Sequence, residues 1–360
     1  MPVNADLLTR LRDSAGKLDQ SGEWPHAQFQ WLADAGILSW VIPRKYAGLE
    51  VPQLELMDGY EALAGACLNT AFILTQRNGA CQRIAGCSNE SLKQKLLPQL
   101  ARGETFATVG ISHLTTSRQY LRTPAVQAEL REERIRVTGT VPWVTGAAQA
   151  QYIVTGGTCA DGRQILLALP TLFPGVSIQP HAQLMALTAS HTASVNLDNV
   201  LVPVEFLLAG PIPEVMKLGQ GGGTGSQVTS MLALGLSARI VTLIQEQARI
   251  RPDLQFVADQ FETELARLRN DLFRSVSESP ADYEALVSVP VSAAEIRQRA
   301  NSLVLRITQV AMAICKGAGY LQGHPAEIAC REALFFLVWS CPQPVVQNLL
   351  EELAKTTGSR

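Results

Sequence analysis

The chain has 360 residues, of which 47% are hydrophobic and 17% charged, and its formal net charge is −2. That length supports two or three domains around a sizeable core, while the near-neutral balance excludes the basic footprint of a nucleic-acid binder and a polybasic membrane patch. Seven cysteines, at 67, 81, 87, 159, 315, 330 and 341, are odd in number and have no metal-ligand spacing, which fits buried free thiols in a reducing compartment.

Residues 1–20 mix charges with single apolar residues, so no signal peptide is expected, and no apolar run reaches transmembrane length. A cytoplasmic protein without membrane insertion is the expectation. Residues 4–104 read as helical. Leu7, Leu8 and Leu11 open one amphipathic helix; Phe29, Leu32 and Ala33 open another that stops at Gly36. Ile37–Pro43 is too short and Pro-bounded for a helix and leads into a turn at Tyr46-Ala47-Gly48. Leu54–Ile73 is a long apolar-periodic stretch, and Ser91–Leu100 a shorter one with Lys93 and Lys95 facing outward.

From about residue 105 the pattern changes to short runs separated by turn signals: Phe106–Val109, Ala125–Leu130, Arg134–Val137, Tyr152–Val154, Ile165–Leu169, Val176–Ile178 and Ser194–Leu197, closing at Val200–Pro203. Such spacing predicts a small antiparallel sandwich or barrel. Gly219–Gly225 reads as a linker or a loop close to a ligand; with no Lys-Ser/Thr after it, it is not a P-loop. Helix returns beyond it. Gln227–Gln247 is apolar nearly all round, which implies burial on every side. Phe261, Leu265, Leu268, Leu272 and Val276 keep helical spacing, as do Ile296, Leu303, Ile307, Val310 and Ile314. Further helices begin near Pro325 and Pro344. The expected architecture is α+β: an all-helical domain over 1–104, a β domain over 105–215 and a C-terminal four-helix bundle over 216–360.

Val137–Ala148 is the most informative stretch. Strand alternation predicts Trp143 and Thr145 on one side, an indole wall with a hydroxyl beside it. That arrangement suits a planar heteroaromatic ligand such as a flavin. The alternative for Trp143 is an ordinary core aromatic.

Six local sequences, in order, resemble the acyl-CoA dehydrogenase superfamily. They are Trp31–Leu38, Ile42–Leu49, Leu96–Glu104, Val195–Pro203, Gly317–Tyr320 and the His324–Glu327 and Arg331–Ala333 pair. The resemblance covers nearly the whole chain. It implies FAD bound between the β domain and the C-terminal helices of a homodimer or homotetramer, acting on a small-molecule acyl-CoA-like substrate. It implies that Trp143 flanks the isoalloxazine and that the Thr145 hydroxyl reaches its N5 region. Arg251 matches an arginine, and Gln260 a glutamine, that serve the FAD of a neighbouring subunit. Gly317 and Gly319 match glycines that let the backbone approach the pyrophosphate, for which an arginine fork and small residues are suited. A solvated helix-end cation and a simple helix cap are the alternatives.

The family's catalytic glutamate is replaced. Its common position falls at Ser340, after Trp339, and its other position near Gly225-Ser226; neither is acidic. A serine without an adjacent base cannot abstract an α-proton. The stretch Ile111–Arg118 lacks the family's Gly-Ser for CoA approach, although Ser112 or His113 remains able to meet the flavin rim, and Leu254 replaces an aromatic. Three readings follow. The first is an FAD oxidoreductase acting at the CH–CH group of an acyl-CoA-like substrate. The second is a base-less partner subunit in a hetero-oligomer with a homologous chain. The third is a flavin-dependent monooxygenase of the same fold, using His113, or His191 with Ser190. A cofactor-free scaffold is the bland alternative.

Overall fold

Leu7, Leu11 and Leu18 share one stripe of a helix, and in the computed structural model of the chain they are buried along α1 (Ala5–Ser21). The structure describes residues 3–115, 123–218, 225–277, 291–339 and 343–354. Asn4 caps α1 by accepting the Asp6 N–H, and Gly22 ends it at φ 63°. α2 (His26–Asp34) stops ahead of Gly36, and two short 3-10 turns lead to α3 (Gln53–Ala66). The Leu54–Ile73 stretch is not one helix. Cys67 adopts an extended conformation, φ −153° and ψ 102°, and the chain restarts as α4 (Leu68–Gly86).

α5 (Glu90–Ala101) is capped by the Asn89 side chain. Lys95 faces outward along it, but Lys93 does not: its stem is buried while its ammonium pairs with Glu90 at 2.9 Å. A long aliphatic stem covers apolar surface while its charged end stays at the boundary.

The middle of the chain forms one eight-stranded sheet. Its strands are β1 (Ala107–Gly110), β2 (Val126–Leu130), β3 (Arg134–Val144), β4 (Tyr152–Thr158), β5 (Gln164–Pro170), β6 (Val176–Ile178), β7 (Ala193–Pro203) and β8 (Leu207–Ile212). The order is β6-β7-β3-β2-β4-β5-β8, with β1 on β4 off that path. Most ladders are antiparallel as the spacing predicts, but β1 and β2 pair parallel with β4, so the sheet is mixed. β8 was not legible in the alternation because Gly210-Pro211 interrupts it; at the end of the sheet path, proline is tolerated. A short helix, α6 (Ser112–Thr115), follows β1.

The last third holds α7 (Gly225–Ile250), α8 (Gln255–Ser277), α9 (Ala293–Gly319) and α10 (Pro325–Val338), with α11 (Gln343–Ala354) packed on α9 as a fifth helix. α7 is buried all round from Thr229 to Ser237. Gln227–Ile250 is long and apolar enough to cross a membrane, yet 67% of its apolar window is buried inside the protein, as befits a core helix. It crosses α3 closely: a Cβ on Gly235 would stand 2.4 Å from the Glu61 carbonyl oxygen, so glycine is required there. Two cores result. One joins α1–α4 to the C-terminal helices, and the other joins the sheet to α5. α4 belongs to both, with Phe72 and Leu74 in the first and Ala80, Cys81 and Ile84 in the second.

Candidate functional site

Where α4 bridges the two cores, the protein surrounds a cavity of about 1290 Å³. Its walls are α4 (Phe72, Thr75, Gln76, Gly79, Gln82, Arg83), the end of β1 with Ile111 and Ser112, the 184–187 segment, α7 and α10. Most of this surface is apolar with a few polar groups, as in small-molecule and cofactor sites.

Trp143 projects into this cavity from the end of β3, and the reason is local. The β3–β7 register slips between Val141 and Val144, and Trp143 takes a left-handed φ of 55°. A bulge of this kind re-aims a side chain. Trp143 is consequently 51% exposed, a high value for an indole in a protein interior. The same slip ends strand alternation, so Trp143 and Thr145 do not share a face. Thr145 is buried, with its hydroxyl 3.2 Å from that of Thr192, which lies 2.8 Å from the Ser190 hydroxyl. Thr192, not Thr145, lines the cavity. Ser112 also lines it and donates to the Pro142 carbonyl at 3.3 Å, tying α6 to the bulge.

Neither histidine reaches the cavity wall. His113 is buried with Nε2 2.9 Å from the Gly156 carbonyl oxygen. His191 is held with Nε2 3.1 Å from the Gly22 carbonyl oxygen and its ring stacked on His181 at 4.3 Å. Burial pushes the His191 pKa down, and the charges of His181 and His26 push it the same way, against the hydrogen bond to Gly22. Ser190 is fully buried.

Arg251 comes together with the end of α9, away from the cavity walls. Its Nη1 donates to the Ile314 carbonyl at 3.3 Å and its Nη2 pairs with Asp253 at 3.4 Å. There Lys316 leaves helical geometry (φ 52°, ψ −141°), and a Cβ on Gly317 would meet nothing within 4 Å. On Gly319 it would stand 2.7 Å from the Cys315 Cβ. Gln260 is exposed on α8. None of these four lines the cavity, so the predicted residues fall into two groups: Trp143 and Ser112 inside it, Arg251 and the α9 glycines outside. Ser340 lies outside the described residues. Its neighbour Trp339 lines the cavity and stacks on Phe335 at 5.4 Å.

Several charged residues around the site are not evident from residue patterns. Arg297 is fully buried and donates to Asn301 Oδ1 and to the Trp339 carbonyl, both at 2.9 Å, while Asn301 donates to the Phe336 carbonyl. This network fixes the end of α10. Arg331 bonds Asp19 of α1, Glu327 and the Met185 carbonyl, locking three segments at the cavity edge. Arg239 and Glu332 pair at 2.5 Å between α7 and α10, and burial pushes the Glu332 carboxyl up. Arg83 lines the cavity from α4. Among the described lining residues the sole carboxylate is Glu50; it is exposed and accepts the Arg44 N–H at 3.2 Å.

A helical start, a mixed sheet and a helical bundle meeting at one cavity define a class of three-part proteins, and known proteins share this arrangement. The family model for the acyl-CoA dehydrogenase N-terminal domain matches residues 6–104. The chain is 24% identical over 334 residues to the probable acyl-CoA dehydrogenase YngJ of Bacillus subtilis (strain 168), covering 89% of this chain and 87% of that protein. It is 23% identical over 340 residues to the short-chain specific acyl-CoA dehydrogenase of Clostridium acetobutylicum, covering 90% and 88%. The solved structure of butyryl-CoA dehydrogenase from Megasphaera elsdenii has the same fold, with a TM-score of 0.80 at 18% identity over 98% of this chain and 99% of that one. Over nearly its whole length the chain is similar to acyl-CoA dehydrogenases, and the family's N-terminal model matches its first helical part.

Proposed function

We propose that this chain is an FAD-binding oxidoreductase of the acyl-CoA dehydrogenase type, taking an acyl-CoA-like substrate in the cavity beside Trp143. The observation that carries the proposal is Trp143 itself, a half-exposed indole held by a bulge in a left-handed conformation. Non-glycine residues in that conformation cost stability, and such strain collects at functional sites. The residues fit the cofactor. The cavity has room for a flavin ring against the indole, with Ser112 and Thr192 as polar partners at its rim. Arg251 and the open backbone at Gly317 have the chemistry for a diphosphate, and their place outside the cavity supports their serving a neighbouring copy in a homodimer or homotetramer. Bound FAD supplies the two-electron acceptor. The protein's part is to hold the ring on Trp143, and to shape a largely apolar pocket with Phe72, Leu232 and Phe335. A cytoplasmic location belongs to the same proposal.

A second reading is favoured by one observation. The single carboxylate on the described cavity wall, Glu50, is exposed and tied to a backbone amide, a poor placement for an α-proton base. A partner subunit that binds flavin but lacks its own base fits that composition. Anaerobic titration of the FAD-loaded protein with acyl-CoAs of graded chain length separates the two. Bleaching of the flavin by at least one of them is expected of the dehydrogenase. A flavin that stays oxidised with all of them, alone and at high protein concentration, overturns that reading in favour of the partner subunit.

A further inference from the structure

The wall that α4 turns to the cavity is polar in a pattern that nothing above uses. Thr75, Gln76, Gly79, Gln82 and Arg83 line it, at spacings that put them on one helical face. α4 is otherwise among the most buried helices of the chain, and a polar stripe inside a protein is unfavourable unless something bonds it. Thr75 and Gln76 bond within the helix: the Thr75 hydroxyl donates to the Phe72 carbonyl, and Gln76 donates to Thr75. Gln82 has no side-chain hydrogen bond among the described residues. Among the described residues Arg83 has a single hydrogen bond, from Nη1 to the Gly79 carbonyl of its own helix at 3.1 Å.

Arg83, half-buried, stands apart from the arginines near it. Arg77, two turns earlier on α4, is fully buried and bonds the Leu38 and Leu100 carbonyls and Asn78, which makes it a structural strut. Arg331, the other cation on the cavity wall, is matched by two carboxylates. Arg83 has no carboxylate partner among the described residues. Its guanidinium lies over Gly79, next to β1: a Cβ on Gly79 would stand 3.6 Å from Arg83 Nη1 and 3.5 Å from Val109 Cγ1. The missing side chain at 79 leaves the cation open to the cavity beside the strand that leads to Ser112. Burial lowers the Arg83 pKa to about 10, and no neighbouring charge offsets it. A guanidinium has five N–H donors in a planar fork suited to carboxylate and phosphate oxygens, and here, among the described residues, only one donor nitrogen has a protein partner.

We propose that Arg83, flanked by Gln82, is an anion-binding residue of this cavity, and that the substrate presents a carboxylate or phosphate to α4. This deepens the acyl-thioester reading and rests on it only for the source of the charge, either a carboxylate on the acyl chain or a phosphate of the carrier. The test is calorimetric titration of the full-length FAD-loaded protein with butyryl-CoA, succinyl-CoA, free CoA and free succinate, for wild type, Arg83→Met and Arg83→Lys. If the anion is on the acyl chain, Arg83→Met weakens succinyl-CoA and succinate by about tenfold or more and leaves butyryl-CoA and CoA nearly unchanged, while Arg83→Lys keeps part of the preference. If the anion is on the carrier, butyryl-CoA, succinyl-CoA and CoA weaken together and succinate does not bind. Equal binding by wild type and Arg83→Met of every probe that binds overturns the proposal while leaving the thioester reading intact. Wild-type binding of succinate alone, lost in Arg83→Met, keeps the anion site and overturns the thioester reading. A fall in FAD affinity as the sole effect also overturns the proposal. Should Arg83→Met melt well below wild type, Arg83→Gln decides in its place, with Arg83→Lys as the charge-retaining control.

Discussion

Replacing Trp143 by alanine and by glycine separates what this residue does for the fold from what it does for a ligand. It is 51% exposed in a left-handed backbone conformation. An aromatic side chain presents about 150–250 Å², so the uncovered half is roughly 100 Å². Covering that area with a flavin ring is worth about 2.5 kcal/mol at roughly 25 cal/mol per Å². Trp143→Ala is therefore expected to weaken FAD binding roughly 60-fold, measured by quenching of FAD fluorescence on titration of the apoprotein. The backbone makes a second, independent demand. Alanine still pays the left-handed penalty of about 1–2 kcal/mol and glycine does not, so Trp143→Gly should melt above Trp143→Ala, the reverse of the usual order. FAD affinity within threefold of wild type in both variants refutes the flavin-wall assignment. A higher midpoint for alanine than for glycine refutes the strained-bulge argument.

Two further outcomes follow from buried charges. Arg297→Met leaves the Asn301 Oδ1 and Trp339 carbonyl acceptors without the donor that each has at 2.9 Å, and is expected to destabilise the protein by roughly 3 kcal/mol in urea denaturation, with a changed near-ultraviolet tryptophan signal. The folded pKa of His191 lies below its ordinary value of 6.5, so protonation opposes folding. Stability is complete above the unfolded value and falls as pH drops below about 6.5, levelling once the folded pKa is passed. His191→Gln should flatten that slope in thermal melts between pH 8 and pH 5; an unchanged slope contradicts the assignment.

Much of the architecture was legible because periodicity reports burial directly. The stripe of Leu7, Leu11 and Leu18 names its own packing, and so does the apolar Gln227–Gln247 run between Thr229 and Ser237, although Thr242 and Glu246 further along it are exposed. Legibility failed where a single backbone choice overrode the pattern. Cys67 breaks an apolar run that carries no proline and whose Asp58-Gly59 pair lies inside a helix, and the β3–β7 bulge separates Trp143 from Thr145 although strict alternation pairs them. Lys93 looks solvated by type, yet its stem is buried under a local ion pair. Of the residues on the cavity wall, Trp143 and Ser112 were named from their motif positions. Arg297 and Arg331 owe their roles to partners 42 and 312 residues away, beyond the reach of local pattern. Arg83 did leave a trace: Thr75, Gln76, Gln82 and Arg83 fall with Gly79 on one face of a largely buried helix.

The central claim is that a flavin occupies the cavity beside Trp143, and the most direct measurement is the cofactor content of the purified full-length protein. Chromatography of the supernatant after denaturation is predicted to yield FAD in stoichiometric amount, either as isolated or after incubation with excess FAD and removal of the unbound cofactor. Protein that remains colourless and releases no FAD after such reconstitution contradicts the claim.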